Sequence, residues 1–545
     1  MTRETDHPRA SQRNASTTRA AAGSLALILH AHLPFVRHPE HDDFLEEDWL
    51  FEAITETYLP LLRMLRRLVD EGADFRLTLS LTPTLCAMLR DELLQERYLR
   101  HLERLLGFAA QEIERNRNDP PLAELSRFYA RFFAEAREFF DATLHRDVVR
   151  AFRELQEAGV LEIIASAATH GFLPLFQGLP EAQSAQIRIG CDSYREMFGR
   201  DPRGFWLPEC GYCDGLDLLL QKANVRWSVL DTHGLMFAQP RPLRAIYAPC
   251  YTPAGPAVFA RDRESNREVW SAEGGYPGDP GYRDFYRDAG FDRAEEELRP
   301  FFQPPGVRKF SGFKYHRVTG RTDAKDLYDP PWAQAAADEH ADDFFAKRQA
   351  RYRELRALNL EPLIVSPFDA ELFGHWWFEG PRFLESFLRR AVRERADFVL
   401  TTPSEYLAAQ PSQQVVRPNP SSWGENGFNG VWLDEQAAWI YPPLHAATRR
   451  MTALARQHRA TSDPAIERAL RQAARELLLA QSSDWAFLIK TKSAPEYAKQ
   501  RTENHLAHFR RLADALEAGR IELDFLGECE ERANLFPDLN WRYYL

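Results

Sequence analysis

Short apolar runs that end in polar or ionisable residues recur along this chain. Seven share the design: 24–32 (SLALILHAH), 75–83 (FRLTLSLTP), 161–171 (LEIIASAATHG), 204–209 (GFWLPE), 225–234 (VRWSVLDTHG), 362–371 (PLIVSPFDAE) and 398–405 (FVLTTPSE). Continuous apolar runs of this length suit strands buried on both faces, as in parallel sheets. Helical patterns separate most of them, for example at 181–199 and 382–396. Strand–helix alternation predicts a parallel α/β architecture, here a barrel of about seven strands. In such barrels functional groups gather at the C-terminal strand ends. His30, His32, His170, Glu209, Asp231, His233 and Asp369 all fall at such ends.

The periodicity changes twice. A charged helical stretch covers 89–157, broken by Asn118-Asp119-Pro120-Pro121, and predicts a helical insertion over the barrel. From about 416 onward the pattern is helical, with amphipathic runs at 444–458, 464–481 and 495–519. Between the two, residues 254–330 are rich in Gly, Pro, Tyr and Arg and read as active-site loops. The expected organisation is therefore a polar, disordered leader (1–23), a catalytic domain (24–415) and a C-terminal helical domain (416–545).

Composition narrows the function. Of 545 residues, 44% are hydrophobic and 12% aromatic, enough for a large core. A formal charge of −11 argues against a nucleic-acid partner, whose phosphates would be repelled. Six cysteines do not make a disulfide scaffold. No run of 18 apolar residues predicts a membrane span. The first 23 residues lack the apolar core of a secretory signal, so the cytoplasm is the default location.

Two carboxylates carry the chemistry. Glu209 ends the run GFWLPE, and Asp369 ends LIVSPFD in a dense aromatic setting. Charged residues are rarely placed at the end of an apolar strand beside tryptophan without a role. A pair of carboxyl groups is what glycoside cleavage requires. Glu371 is the obvious competitor of Asp369, and otherwise supplies a supporting hydrogen bond or caps the next helix. His30 and His32 point the same way on a strand, a spacing compatible with a metal. With Asp231 and His233 they leave open a metal-dependent deacetylase. Sugar hydroxyl contacts are the blander reading of the same residues. Cys210-x-x-Cys213 has no second pair to complete a zinc site and reads as packing or an incidental disulfide. Trp206, Trp376, Trp377, Trp423 and Trp432 divide between core packing and platforms for sugar rings. Trp423, in the loop SSWGENGFNGVW, favours the platform. Asp484 and Trp485 in QSSDWAF look like a helix start, or reach a substrate hydroxyl.

Five segments in order, HAHLPF (30–35), ATHGFLP (168–174), WLPECGY (206–212), SPFDAELFGHWWFEGP (366–381) and TPSEYL (402–407), resemble the motif regions of glycoside hydrolase family 57, in its branching-enzyme branch. The loop at 260–279 and the segment SSDWAFLI (482–489) match as well. The resemblance implies an incomplete (β/α)7 barrel and a retaining mechanism on α-1,4-glucans with neither metal nor cofactor. Glu209 is then the nucleophile and Asp369 the general acid/base. Arg261, Gly278, Trp423 and Asp484 contact substrate, His30, His32 and His170 line the subsite at the cleaved bond, and Trp376 adds a binding surface. The connection from Glu209 to Arg261 looks shorter than in typical branching enzymes of the family. That keeps open an α-amylase-like hydrolase, and behind it a 4-α-glucanotransferase.

Overall fold

The computed structural model describes residues 23–545 except 272, 303–306 and 395. The expected leader therefore lies outside the described residues, apart from Gly23. Among the described residues nine strands form: β1 (Ser24–Ala31), β2 (Leu77–Leu81), β3 (Leu161–Ser166), β4 (Gly204–Trp206), β5 (Trp227–Leu230), β6 (Cys250–Tyr251), β7 (Ala257–Ala260), β8 (Leu363–Asp369) and β9 (Val399–Leu400). The sheet order is β6-β7-β5-β4-β3-β2-β1-β8, and β9 pairs with the start of β1. Every pairing is parallel except β6 with β7.

The run β7-β5-β4-β3-β2-β1-β8 supplies the seven parallel strands of an incomplete barrel. One member differs from the sequence reading. The segment at 398–405 contributes only the two-residue β9 at the base of β1, and the seventh barrel strand is β7. Its four residues, Ala-Val-Phe-Ala, fall at the start of the stretch read as loops and are too short to show a period. Between β7 and β8 the ladder stops. The gap is spanned by Asp262 N–H donating to the Val365 carbonyl at 2.8 Å and by a 2.7 Å hydrogen bond between the hydroxyls of Ser265 and Ser366.

Inside the curled sheet Ile28, Ile164, Trp206, Trp227, Val229, Phe259 and Val365 form a separate apolar cluster. Helices such as 180–198, 330–357 and 380–393 cover the outside. The insertion is a pair of long helices, Glu92–Arg115 and Pro120–Glu138, followed by Val148–Glu157. Asp91, Asp119 and Asp147 each accept a backbone N–H at the start of one helix, which fixes where the chain turns. Phe108 of the first helix packs on Phe302 and Phe313, and Tyr129 of the second donates to the Lys314 carbonyl. The insertion thus braces the loops that carry one wall of the site. At the C-terminus, helices 441–457, 464–480, 483–491, 495–517 and 523–532 form a bundle around the buried helix 464–480. That helix runs into Ser482, which bridges to Gly171, and Ser483 N–H donates to the His170 carbonyl at 3.1 Å. The bundle is tied to the strand ends at this point.

Candidate active site

Register brings the chemistry together. His30 on β1 lies opposite Ser80 on β2 and Asp369 on β8. The residues at these strand ends face a cleft of about 820 Å³. His30, His32, His170, Glu209, Arg261, Asp369, Trp376, Trp423 and Asp484 all line it.

Glu209 follows β4 on a tight turn. Its φ is 61° and that of Cys210 is 51°, left-handed values that cost non-glycine residues about 1–3 kcal/mol each. Hydrogen bonds hold the turn in place. Trp423 N–H donates to the Glu209 carbonyl at 3.0 Å, and Gly211 N–H to the Pro208 carbonyl at 2.9 Å. The carboxylate is fixed at both oxygens. The Trp423 indole N–H donates at 2.8 Å and the Ser483 hydroxyl at 3.0 Å. Burial pushes this carboxyl up to about 7; the Trp423 hydrogen bond opposes that, Asp484 adds to it, and His32 and Ser483 pull back. A nearby Arg or His would favour the ionised form of Glu209. His170 is 3.7 Å away, but burial and its histidine neighbours drive its own pKa well below the usual value. Neutral donors hold Glu209 instead, and it titrates near neutrality.

Asp369 ends β8. Burial, then the charges of Glu371 and Glu209, push its pKa well above the usual carboxylate range, against the pull of Arg261. These surroundings favour its protonated form. Glu371 has the supporting role left open for it: it accepts from His32 N–H at 3.2 Å and from the Tyr58 hydroxyl. Burial raises it to about 7, with Tyr58 and His32 opposing. Gly374 (φ 129°) closes the following turn, where a Cβ would fall 1.8 Å from the Glu56 carbonyl. No side chain fits there.

The three histidines form one stack. His30 lies over Trp206 at 4.6 Å, and His32 over His170 at 3.8 Å. Their nitrogens are occupied by protein groups. His30 bonds Ser80 and, through Nε2, the Nε2 of His170 at 3.0 Å; His170 also bonds Ser483, and His32 bonds Thr82 and Asp484. An imidazole pair sharing a hydrogen bond does not direct both lone pairs at one ion, so this geometry does not suit chelation. Burial lowers the pKa of His30 strongly. It also works against the proton on His32, but the adjacent Asp484 outweighs it and raises His32. Asp231 and His233 lie behind the cleft. They bond each other at 3.0 Å, Asp231 is 3.4 Å from Arg261, and His233 contacts the Gly427 carbonyl at 2.7 Å. They position Arg261 and the Trp423 loop and do not join His30 and His32.

One expected contact is placed elsewhere. Gly278 ends a short turn, Tyr276–Gly278, and lines a separate depression with Glu268, Asp279 and His340. It does not line the cleft, because the helix at 263–270 turns the chain away after Arg261. Trp206, Trp377 and Trp432 are core; Trp423 is half-buried, and Trp376, 45% exposed, meets Trp270 edge to face at 5.8 Å. Cys210 and Cys213 are buried free thiols. Ser80, Thr82, Tyr58, Trp270 and Ser483 were not singled out from sequence. Only Ser483 carried a usable signal, as the residue beside Asp484 at a helix start.

Comparison with known proteins gives these features a family. Residues 26–419 match the family model of glycosyl hydrolase family 57, and residues 443–544 match that of the 1,4-alpha-glucan branching enzyme C-terminal region. The chain belongs to glycosyl hydrolase family 57. A 1,4-alpha-glucan branching enzyme of Thermococcus kodakarensis is 33% identical over 94% of this chain and 77% of its own length. Among solved structures, a family 57 branching enzyme from Pyrococcus horikoshii superposes with a TM-score of 0.86 at 35% identity, covering 96% of this chain and 97% of its own. The α-amylase AmyC from Thermotoga maritima superposes with a TM-score of 0.90 at 45% identity, covering 96% and 99%. As a family 57 member, the chain carries the expected incomplete barrel with a helical C-terminal part.

Proposed function

We propose that this protein is a 1,4-α-glucan branching enzyme that works by retaining double displacement. The observation that carries the reading is the pairing at the strand ends: a nucleophile held by neutral hydrogen-bond donors, Glu209, faces the same cleft as a carboxyl whose surroundings favour the protonated form, Asp369. Environments that separate two carboxyls in this way assign acid and nucleophile. Asp369 protonates the leaving glycosidic oxygen as the Glu209 carboxylate attacks the anomeric carbon, and the C–O bond breaks. The leaving chain departs with the proton. Asp369, now ionised, takes the proton of an acceptor 6-hydroxyl, whose oxygen displaces Glu209 and forms an α-1,6 link. Anomeric configuration is retained after two inversions. The bundle supplies Ser483 and Asp484 to this machinery, which connects the C-terminal region to the chemistry.

A second reading, hydrolysis, has its own observation. Among the described residues, none between Glu209 and Arg261 lines the cleft. The irregular part of that stretch pairs with 414–417 on the far side of β6. Water therefore meets no lid from this segment. Incubation with amylose decides between them: branching gives new α-1,6 linkages in excess of new reducing ends, and hydrolysis gives reducing ends alone.

A further inference from the structure

One wall of the cleft is built by helix 47–53, by Phe285, Phe291 and residues 308–310, and by the turn at 375–376. Two acids, Asp48 and Glu52, line it and a third, Glu56, stands behind it. Asp48 is paired with Lys309. Glu56 is paired with Arg283 at 2.8 Å and with His375 at 2.9 Å. Glu52, between them on the same helical face, makes no hydrogen bond to any described residue; His375 Nε2 lies 3.8 Å away, and the charges acting on Glu52 are those of Glu56, Asp48, Lys314 and Asp288. Its side chain is 18% exposed and lines the cleft, with Phe285, Phe310 and Trp376 around it.

A half-buried carboxyl that faces a cleft and has no hydrogen bond to any described residue is left for a ligand to complete. The opening before Glu52 leads to a groove walled by aromatic rings. Vicinal sugar hydroxyls suit such a site: they donate to both carboxyl oxygens while the ring faces rest on aromatic surfaces. The wall also has a side. The opposite wall, Trp423 with Ser483 and Asp484, grips the nucleophile and so borders the sugar that becomes attached to it. The wall of Glu52 continues from Asp369 through Glu371 and His375. Asp369 serves the leaving oxygen first and the attacking oxygen second, so this wall borders the chain that leaves and the chain that arrives.

We propose that Glu52 binds hydroxyls of the acceptor glucan and so biases the glycosyl-enzyme toward transfer over water, an inference that rests on the transferase reading above. The test compares Glu52→Ala and Glu52→Gln with wild type on two substrates. Amylose reports α-1,6 linkages formed per reducing end. An aryl maltoside reports cleavage with a leaving group that needs no sugar on the acceptor side. Glu52→Ala is expected to lower the branch-to-hydrolysis ratio at least tenfold while aryl maltoside turnover falls no more than twofold. Glu52→Gln, which keeps an acceptor and a donor, recovers most of the ratio. Equal losses on both substrates, or an unchanged ratio, overturn the proposal. A wild type that forms no α-1,6 linkages overturns the transferase reading instead. The role of Glu52 is then decided by amylose turnover, which must still fall more than aryl maltoside turnover.

Discussion

The cleft floor and the layer behind its wall both bury carboxylates, and they treat them in opposite ways. On the floor, Glu209 and Glu371 are pushed up to about 7 and Asp369 well above its usual range, burial being the largest cause in each case. Behind the wall, burial also presses Glu56 upward, but Arg283 and His375 overcome it and hold Glu56 at about 2. The two layers differ in partners, not in depth. Glu56 meets a guanidinium that also lies over Phe378 at 3.9 Å, a fixed cation in a fixed place. The floor carboxyls are hydrogen-bonded by an indole, hydroxyls and a backbone amide and repel one another, and the cations near them, Arg261 and His32, only partly offset burial. A structural acid is matched to a cation. The floor acids are matched to groups that leave proton affinity adjustable near neutral pH, as acid–base chemistry requires.

The comparison breaks most visibly at the floor. Asp369→Asn and Glu209→Gln each remove one of the two chemical roles, and kcat on amylose is expected to fall by about 10⁴-fold or more, roughly 5 kcal/mol of barrier. Circular dichroism and Tm stay near wild type or rise. Retained turnover in Glu209→Gln would sink the nucleophile assignment. Behind the wall the same acid-to-amide change acts on the fold. Glu56→Gln leaves Arg283 buried without its charge partner and is expected to cost about 3–5 kcal/mol of stability. Its kcat per folded molecule falls far less than that of the floor variants. Urea titration beside active-site-normalised kinetics separates the two. A Glu56→Gln protein that is fully stable but inactive would erase the distinction between the layers.

Trp423→Phe sharpens it. The indole N–H is the largest influence opposing the burial of Glu209, and its hydrogen bond goes to a charged acceptor. Such bonds are worth roughly 1.5–3 kcal/mol, so kcat/KM should fall about 10- to 100-fold. The pH profile gives the sign. Activity needs Glu209 ionised and Asp369 protonated, so it rises with pH through about 7 and falls only at the raised pKa of Asp369. Without the indole, the Glu209 pKa rises and the acid limb moves to higher pH. The neighbouring Glu371 titrates in the same range, so the limb reports the coupled acids together. A limb that stays put would show that Trp423 acts only as a sugar platform.

The strand ends were legible in the sequence because an apolar run followed by a carboxylate is a local pattern. β1, β4 and β8 announced His30, Glu209 and Asp369 in this way. What completes the site is not local. Ser483 arrives at Glu209 from a helix 274 positions later, and Glu52 reaches the wall from a helix whose periodicity says which residues are buried but not which cleft they face. β7 hid in a loop-like stretch because four residues carry no period. Gly278 was carried over with its motif and is led away from the cleft by the helix that follows Arg261. The short connection after Glu209 was legible as length, and the structure adds that no residue of it lines the cleft.

The smallest effect is thermodynamic. Glu209 has a folded-state pKa of about 7, above its unfolded value near 4.5. The folded state therefore binds more protons between those values, and stability from this group increases as pH falls through 7. From pH 8 to pH 6 the gain is about 1 kcal/mol, on the order of one degree in Tm for a chain of this size. Glu371 adds a similar gain in the same window. Glu56 has the opposite sign: its folded pKa, about 2, lies below the unfolded value, so its stabilisation is intact at pH 6 and is lost only as pH falls toward 2. The buried histidines with lowered pKa values, His30, His38, His101, His170 and His505, act in the opposite direction over the same window, so the difference in stability between pH 6 and pH 8 is compared between wild type and variant in thermal scans. Glu209→Gln should shift that difference by about 1 kcal/mol in favour of pH 8, and Glu56→Gln, although less stable throughout, should leave it unchanged. A Glu209→Gln protein that keeps the wild-type difference would mean that this floor carboxyl is ionised in the folded protein, and the contrast between floor and wall would disappear.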